Sequence, residues 1–291
     1  MFKGYFTALI TPFRNGKVDE AAYRALIDWQ IAEGIGGLVP CGTTGESPTL
    51  SHEEHRRVVE ICIDQVKGRV PVIAGSGSNS TAEAVELTRH AKQAGATAAL
   101  LVMPYYNKPT QAGMYEHFKA INDAVDIPIL IYNIPPRSVV NMTVETMTRL
   151  SKLKNIAGVK DATADLARPT QMRVAAGPEF CQMSGEDGTA LAFFAQGGHG
   201  CISVTANVAP RQCVEVYRAW TAGDLKKALD LHTRLMTLHD AMFVETNPMP
   251  VKYAASVLGK CTSEMRLPML PPLPASRERI ESAMRGAGLI A

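Results

Sequence analysis

Eight short runs of apolar and β-branched residues punctuate the chain: YFTALI (5–10), GLVPCG (37–42), PVIAGSG (71–77), AALLVMPYY (98–106), PILIYNI (128–134), NIAGVKDA (155–162), FCQMSGED (180–187) and GCISVTAN (200–207). Their apolar residues mostly follow one another without polar alternation, which predicts strands covered on both faces of a sheet. Between most runs the apolar positions recur at helical spacing, over 19–34, 51–67, 80–94, 111–124, 143–153 and 188–197. Ser51 with Glu54 three residues on, and Thr143 ahead of Glu145 and Thr146, read as helix starts.

Strands that alternate with helices imply parallel pairing through right-handed crossovers. Eight such units suit a closed (β/α)8 barrel, whereas a doubly wound sheet more often carries a glycine-rich phosphate turn after its first strand. No G-x-G-x-x-G and no G-x-x-x-x-G-K-[ST] occurs in the chain. Beyond the eighth run the pattern is helical only, over 210–221, 224–243, 248–258 and 275–288, with LPMLPPLP (267–274) as a proline-rich connector. The expectation is an α/β protein, a (β/α)8 TIM barrel over 1–223 followed by a small helical C-terminal domain over 224–291.

Composition fits that picture and removes other classes. Across 291 residues, 46% are hydrophobic and 20% charged, enough to fill a large core. A net charge of +2 with scattered Lys and Arg offers no basic patch, so no nucleic-acid partner is expected. Six cysteines lie far apart with no C-x-x-C pair, which points to free thiols in a reducing cytoplasm. The start, MFKGYFTALITPF, lacks the continuous apolar core of a signal peptide, and no later run approaches 18 apolar residues, so no membrane span is expected.

In such a barrel, chemistry belongs to the C-terminal ends of the strands and the loops after them. The second run ends in CGTTGES, where Thr43 and Thr44 between two glycines offer hydroxyls and amides to a small anion; an ordinary tight turn is the alternative. The fourth ends in Tyr105 and Tyr106, either packing residues or proton relays. The fifth ends in YNIPPR, supplying the Tyr132 phenol and, beyond two stiffening prolines, the Arg137 fork suited to a carboxylate. The seventh carries Glu186 and Asp187.

The sixth run, NIAGVKDA, places Lys160 at the end of an apolar strand. A lysine deprived of water is more readily neutral, and a neutral amine can condense with a carbonyl to form an iminium, an electron sink that acidifies the neighbouring carbon. A phenol can move the protons this requires. A Schiff-base aldolase or lyase is therefore the leading reading, with a lysine that merely pairs with Asp161 or a neighbour as its alternative. Cys41 has no base beside it in sequence and no G-x-S-x-G elbow exists. No metal or cofactor is expected: HEEH (52–55) spaces its histidines at i, i+3 and lacks a third ligand.

In order and spacing, GTTGES, PYYNKP, YNIPPR, GVKDAT, SGEDGTAL and GGHGCISVTAN closely resemble the dihydrodipicolinate synthases, in the superfamily that also holds N-acetylneuraminate lyase and other 2-keto acid aldolases. The likeness runs through FVETNPMPVKYA (243–254) and MRLPMLPP (265–272), and Arg137 favours the synthases over the lyases. Another pyruvate-dependent class I aldolase, of the neuraminate lyase or 2-keto-3-deoxy sugar acid kind, is the alternative.

The resemblance implies pyruvate bound as an imine on Lys160, its carboxylate held at Thr43 and Thr44, and protons relayed by Tyr132 through Thr44 to a Tyr106 supplied by a neighbouring subunit. Arg137 then takes the carboxylate of L-aspartate 4-semialdehyde, and backbone near Gly185 and Ile202 lines the pocket. The assembly it implies is a homotetramer, a dimer of dimers. Residues Ser47, His52, His55, Asn79, Glu83 and Tyr105 match a feedback site for L-lysine, Glu83 meeting its α-amino group and His55 its side-chain end. Two places depart from the family pattern: Pro48 stands where a small residue is usual, and IPPRSVV replaces the commoner VPxRTG.

Overall fold

The computed structural model describes residues 2–291 and contains eight strands of one sheet: β1 (Gly4–Ala8), β2 (Gly37–Val39), β3 (Ile73–Gly75), β4 (Ala98–Val102), β5 (Ile129–Asn133), β6 (Ile156–Asp161), β7 (Cys181–Ser184) and β8 (Gly200–Ser203). Their order is β2-β1-β8-β7-β6-β5-β4-β3, the neighbour sequence of a (β/α)8 barrel. Each strand is followed by a helix: α1 (Glu20–Ala32), α2 (His52–Val66), α3 (Thr81–Ala94), α4 (Gln111–Ala124), α5 (Val144–Leu150), α6 (Arg168–Ala176), α7 (Ala190–Ala195) and α8 (Pro210–Thr221). Three more, α9 (Leu225–Ala241), α10 (Met249–Val257) and α11 (Pro274–Gly286), complete the chain.

Helix α6 and a short hairpin are among the elements outside the sequence expectation. Helix α6 has a polar, proline-initiated sequence, RPTQMRVAA, whose apolar spacing is too sparse to announce itself. A hairpin pairs Phe13–Arg14 with Lys17–Val18 about the dipeptide Asn15-Gly16. Arms of two residues are too short to display alternation, although the dipeptide is a strong turn signal. The expected helix starts do form. Ser51 and Glu54 exchange both bonds of a capping box, and the Thr143 hydroxyl accepts from the Thr146 amide.

The chain divides into two compact units, Pro71–Ile202 with the extreme N-terminus, and Gly4–Val70 with Ser203–Ala291. In the first, β5 is buried at all five positions and β6 at five of six, which is why their sequences run apolar without alternation. Behind them a core of Leu101, Met114, Phe118, Ile121, Ile131, Met147 and Val159 joins strands to helices. Strands β6 and β7 approach closely because residue 158 is glycine: a Cβ there would stand 2.2 Å from the Cys181 carbonyl oxygen.

In the second unit, β1 and β2 pair in parallel with Phe6 opposite Gly37, and a Cβ on Gly37 would fall 2.1 Å from the Phe6 ring. Two buried amides fix the end of β1. Gln30 accepts from the Thr7 hydroxyl at 2.6 Å and donates to the Ala206 carbonyl at 2.8 Å. Asn207 accepts from the Ile10 amide at 3.0 Å and donates to the Ala8 carbonyl at 2.7 Å. Buried amides this fully bonded lock a unique geometry on the backbone they join. No described helix is long and apolar enough to cross a membrane.

Candidate active site

Lys160 is the fifth residue of β6 and pairs in register with Tyr132 of β5. Equivalent residues of neighbouring parallel strands project to the same side, so register alone brings amine and phenol ring together. Lys160 is 5% exposed and Tyr132 6%, with Nζ 4.2 Å from the ring centroid. Gly185, just past β7, makes room: a Cβ there would stand 2.7 Å from the Ala162 Cβ and 3.2 Å from Lys160 Cε.

Among the described residues Lys160 enters no ion pair, and the Asp161 beside it pairs with Arg168 instead. The Asp161 carboxylate goes elsewhere, to Arg168 at 3.0 Å and to the amide and hydroxyl of Thr163 at 2.9 and 2.6 Å. Arg168 also donates to the Met142 carbonyl at 3.0 Å. In the sequence, Arg168 carried no signal of this partnership, since helix α6 itself was not evident.

Glu186 follows Gly185 and is only partly exposed. Burial first, and then the charge of Asp187, push its carboxyl above the usual range, while Lys160 draws it the other way. The Ser184 hydroxyl holds this turn by donating to the Glu186 carbonyl at 3.0 Å and accepting its amide at 3.1 Å. Ile202 lies fully buried in β8.

Arg137 sits in a single helical turn, Pro135–Ser138, which ends on Val139 at φ 66°. The turn is clamped by the buried Ser138 hydroxyl, which contacts the Ile134 and Val140 carbonyls at 2.9 and 3.0 Å. After β4, Tyr106 is 89% exposed and also left-handed, at φ 68°. Nearby, Asn79 donates to the Tyr105 carbonyl at 3.2 Å, and the Ser78 hydroxyl donates to Glu83. Burial and then the Glu83 charge push the Tyr105 phenol up.

In the second unit, the loop after β2 folds on itself: the Gly45 amide bonds the Gly42 carbonyl at 3.0 Å and the Glu46 amide the Thr43 carbonyl at 3.1 Å. The Thr44 hydroxyl, 3% exposed, accepts from the Asn247 amide at 3.1 Å. Its own proton therefore remains available to donate elsewhere. Cys41 opens the loop, and burial pushes its thiol well above the ordinary value, which disfavours the thiolate a nucleophile needs. Ser47 begins a short 3-10 turn, His52 is the first residue of α2, and His55 is buried one turn later.

The profile of the Dihydrodipicolinate synthetase family matches residues 1–286. A 4-hydroxy-tetrahydrodipicolinate synthase of Bradyrhizobium diazoefficiens is 64% identical, the match covering 99% of this chain and 98% of that protein. A dihydrodipicolinate synthase of Acinetobacter baumannii solved in complex with pyruvate superposes with a TM-score of 0.97 at 43% identity, covering 100% of both chains. A relative from Cyanidioschyzon merolae, solved with lysine bound, gives 0.97 at 36% identity over 99% of each chain. This chain belongs to the dihydrodipicolinate synthetase family.

Proposed function

We propose that the enzyme condenses pyruvate with L-aspartate 4-semialdehyde through an imine on Lys160 and releases 4-hydroxy-tetrahydrodipicolinate, for diaminopimelate and lysine synthesis. The observation that carries this reading is the buried, ion-pair-free Lys160 amine 4.2 Å from the Tyr132 ring. The free amine attacks the keto carbon of pyruvate and water departs, leaving an iminium. Loss of a methyl proton gives an enamine, whose carbon attacks the aldehyde. The amino group of the second substrate then displaces Lys160 and closes the ring. Tyr132, Thr44 and Tyr106 carry the protons, Thr43 and Thr44 take the pyruvate carboxylate, Arg137 takes that of the aldehyde, and backbone at Gly185 and Ile202 lines the pocket. Borohydride reduction with pyruvate, followed by peptide mapping, tests this directly. An adduct on the Lys160 peptide is expected, and its absence overturns the reading. A substrate panel containing N-acetylneuraminate separates the aldolase alternative.

A phenol as exposed as that of Tyr106 supports the further reading that a second copy of the chain covers it, within a homotetramer. Tyr106→Phe then lowers turnover without changing the melting temperature; unaltered turnover removes Tyr106 from the relay. L-Lysine is the expected effector at Ser47, His52, His55, Asn79, Glu83 and Tyr105, the Glu83 carboxylate suiting its α-amino group. Assay at about millimolar lysine, the usual metabolite scale, tests it, and undiminished activity ends the idea. The six free cysteines suit the cytoplasm. Residues 224–291, which hold α9, α10 and α11, are the proposed C-terminal helical domain.

A further inference from the structure

The loop carrying Thr43 and Thr44 ends on a buried ion pair whose other half comes from the C-terminal helices. Glu46 Oε1 and Lys252 Nζ lie 2.5 Å apart, with side chains 1% and 0% exposed. Lys252 belongs to α10, and its ammonium also stands 4.0 Å from the centre of the Phe13 ring. The second oxygen of Glu46 receives the Arg266 amide at 3.4 Å. Glu46 itself is left-handed, at φ 55° and ψ 34°, a conformation that a side-chain-bearing residue keeps when its surroundings hold it there.

Two backbone bonds transmit that constraint. The Glu46 amide bonds the Thr43 carbonyl, and the Gly45 carbonyl accepts from the Thr11 hydroxyl at 2.7 Å. A displaced Glu46 therefore drags the backbone on which the two threonines sit. Stability alone does not account for such a pair, because apolar residues of similar volume often serve a core as well or better. What an ion pair adds is a fixed length and direction between two elements.

We infer that the Glu46–Lys252 pair is a positioning device for the Thr43–Thr44 loop, setting the donors that take the keto acid's carboxylate. The inference rests on the reading of Lys160 as the imine-forming residue. Both residues act through the threonines and touch no substrate.

The test is borohydride trapping at Lys160 over a range of pyruvate concentrations, on the full chain and on two variants. Lys252→Met removes the amine, and Glu46→Gln with Lys252→Met removes both charges. In each, the pyruvate concentration giving half-maximal trapping is expected to rise about tenfold or more, the scale of a loop misplaced by a fraction of an ångström. The KM for aspartate semialdehyde stays within about twofold, since Arg137 is untouched. Should Lys252→Met fail to fold because it strands the Glu46 charge, the double variant and the isosteric Glu46→Gln carry the same expectation. A lowered melting temperature with unchanged half-saturation makes the pair merely structural and overturns the inference. No adduct on the unmodified chain overturns the Lys160 reading first, and this inference with it.

Discussion

The Lys160 amine faces the Tyr132 ring at 4.2 Å because the two residues occupy equivalent positions on β6 and β5. That pairing gives the ring one role, a face toward Lys160 Nζ, and leaves the hydroxyl for another. Tyr132→Phe keeps the first and deletes the second. Turnover is expected to fall by about 10²- to 10⁴-fold, the usual worth of a positioned proton carrier, while thermal unfolding is unchanged. Steady-state kinetics beside a melting curve check both halves, and a variant with near-normal turnover would dismiss the phenol as a proton carrier.

The carboxylate next to the amine is spoken for. Asp161 and Arg168 are 6% and 8% exposed at their side chains and share a charged bond at 3.0 Å. Arg168→Met leaves a buried anion whose remaining partners are the two donors of Thr163, and removing one member of a buried pair costs about 3–5 kcal/mol. Asp161→Asn with Arg168→Met should recover most of that loss. Urea unfolding measures it; a single variant as stable as the double one contradicts the account.

Backbone strain sits beside Arg137. Val139 is left-handed at φ 66°, where a β-branched residue crowds its own backbone, and it is 64% exposed, so its side chain contributes little packing. A left-handed L-residue costs about 1–2 kcal/mol, against less than about 1 kcal/mol for the extra unfolded freedom of glycine. Val139→Gly should therefore raise the melting temperature by about 2–4 °C. Calorimetry settles the sign, and a lowered midpoint would mean that Val139 is held by contacts worth more than its strain.

How far the sequence carried the reading depended on what each residue answers to. Lys160 was legible because an amine terminating an apolar strand conflicts with burial, and conflicts of that kind are visible in one dimension. Thr44 and Arg137 were legible from their loops. Arg168, Lys252 and Asn247 were not, because each earns its place through a partner: Arg168 meets Asp161 across a turn, while Lys252 and Asn247 meet Glu46 and Thr44 more than 200 residues away. Periodicity reports which face of an element is buried, and it holds no information about which distant polar group completes a bond. Helix α6 and the Phe13–Val18 hairpin escaped for different reasons: the apolar residues of α6 are too sparse to mark a face, and the hairpin arms of two residues are too short to show alternation.

Acid stability has a specific origin in α4. His117 is 5% exposed, and its Nδ1 lies 2.9 Å from the Thr81 hydroxyl, while its buried Nε2 has no hydrogen-bond partner among the described residues. Burial pulls its pKa from 6.5 down to about 4. Between those values the unfolded chain binds a proton that the folded chain refuses, so stability rises with pH across this window. It is fully present above pH 6.5 and is lost as the pH falls toward 4, to a limit of about 3 kcal/mol at 1.36 kcal/mol per unit. His117→Asn places an amide near the Nδ1 position and does not titrate. Urea unfolding at pH 7, 5.5 and 4.5 should show the parent losing stability faster than the variant, by about 1 kcal/mol at the middle pH and more at the lowest. Parallel losses in both proteins would place the acid sensitivity elsewhere, among the carboxylates held below their ordinary range: Asp19 by the Ala22 amide and then Arg14, Glu20 by Arg57, Asp28 by Arg69 and Glu54 by Arg266.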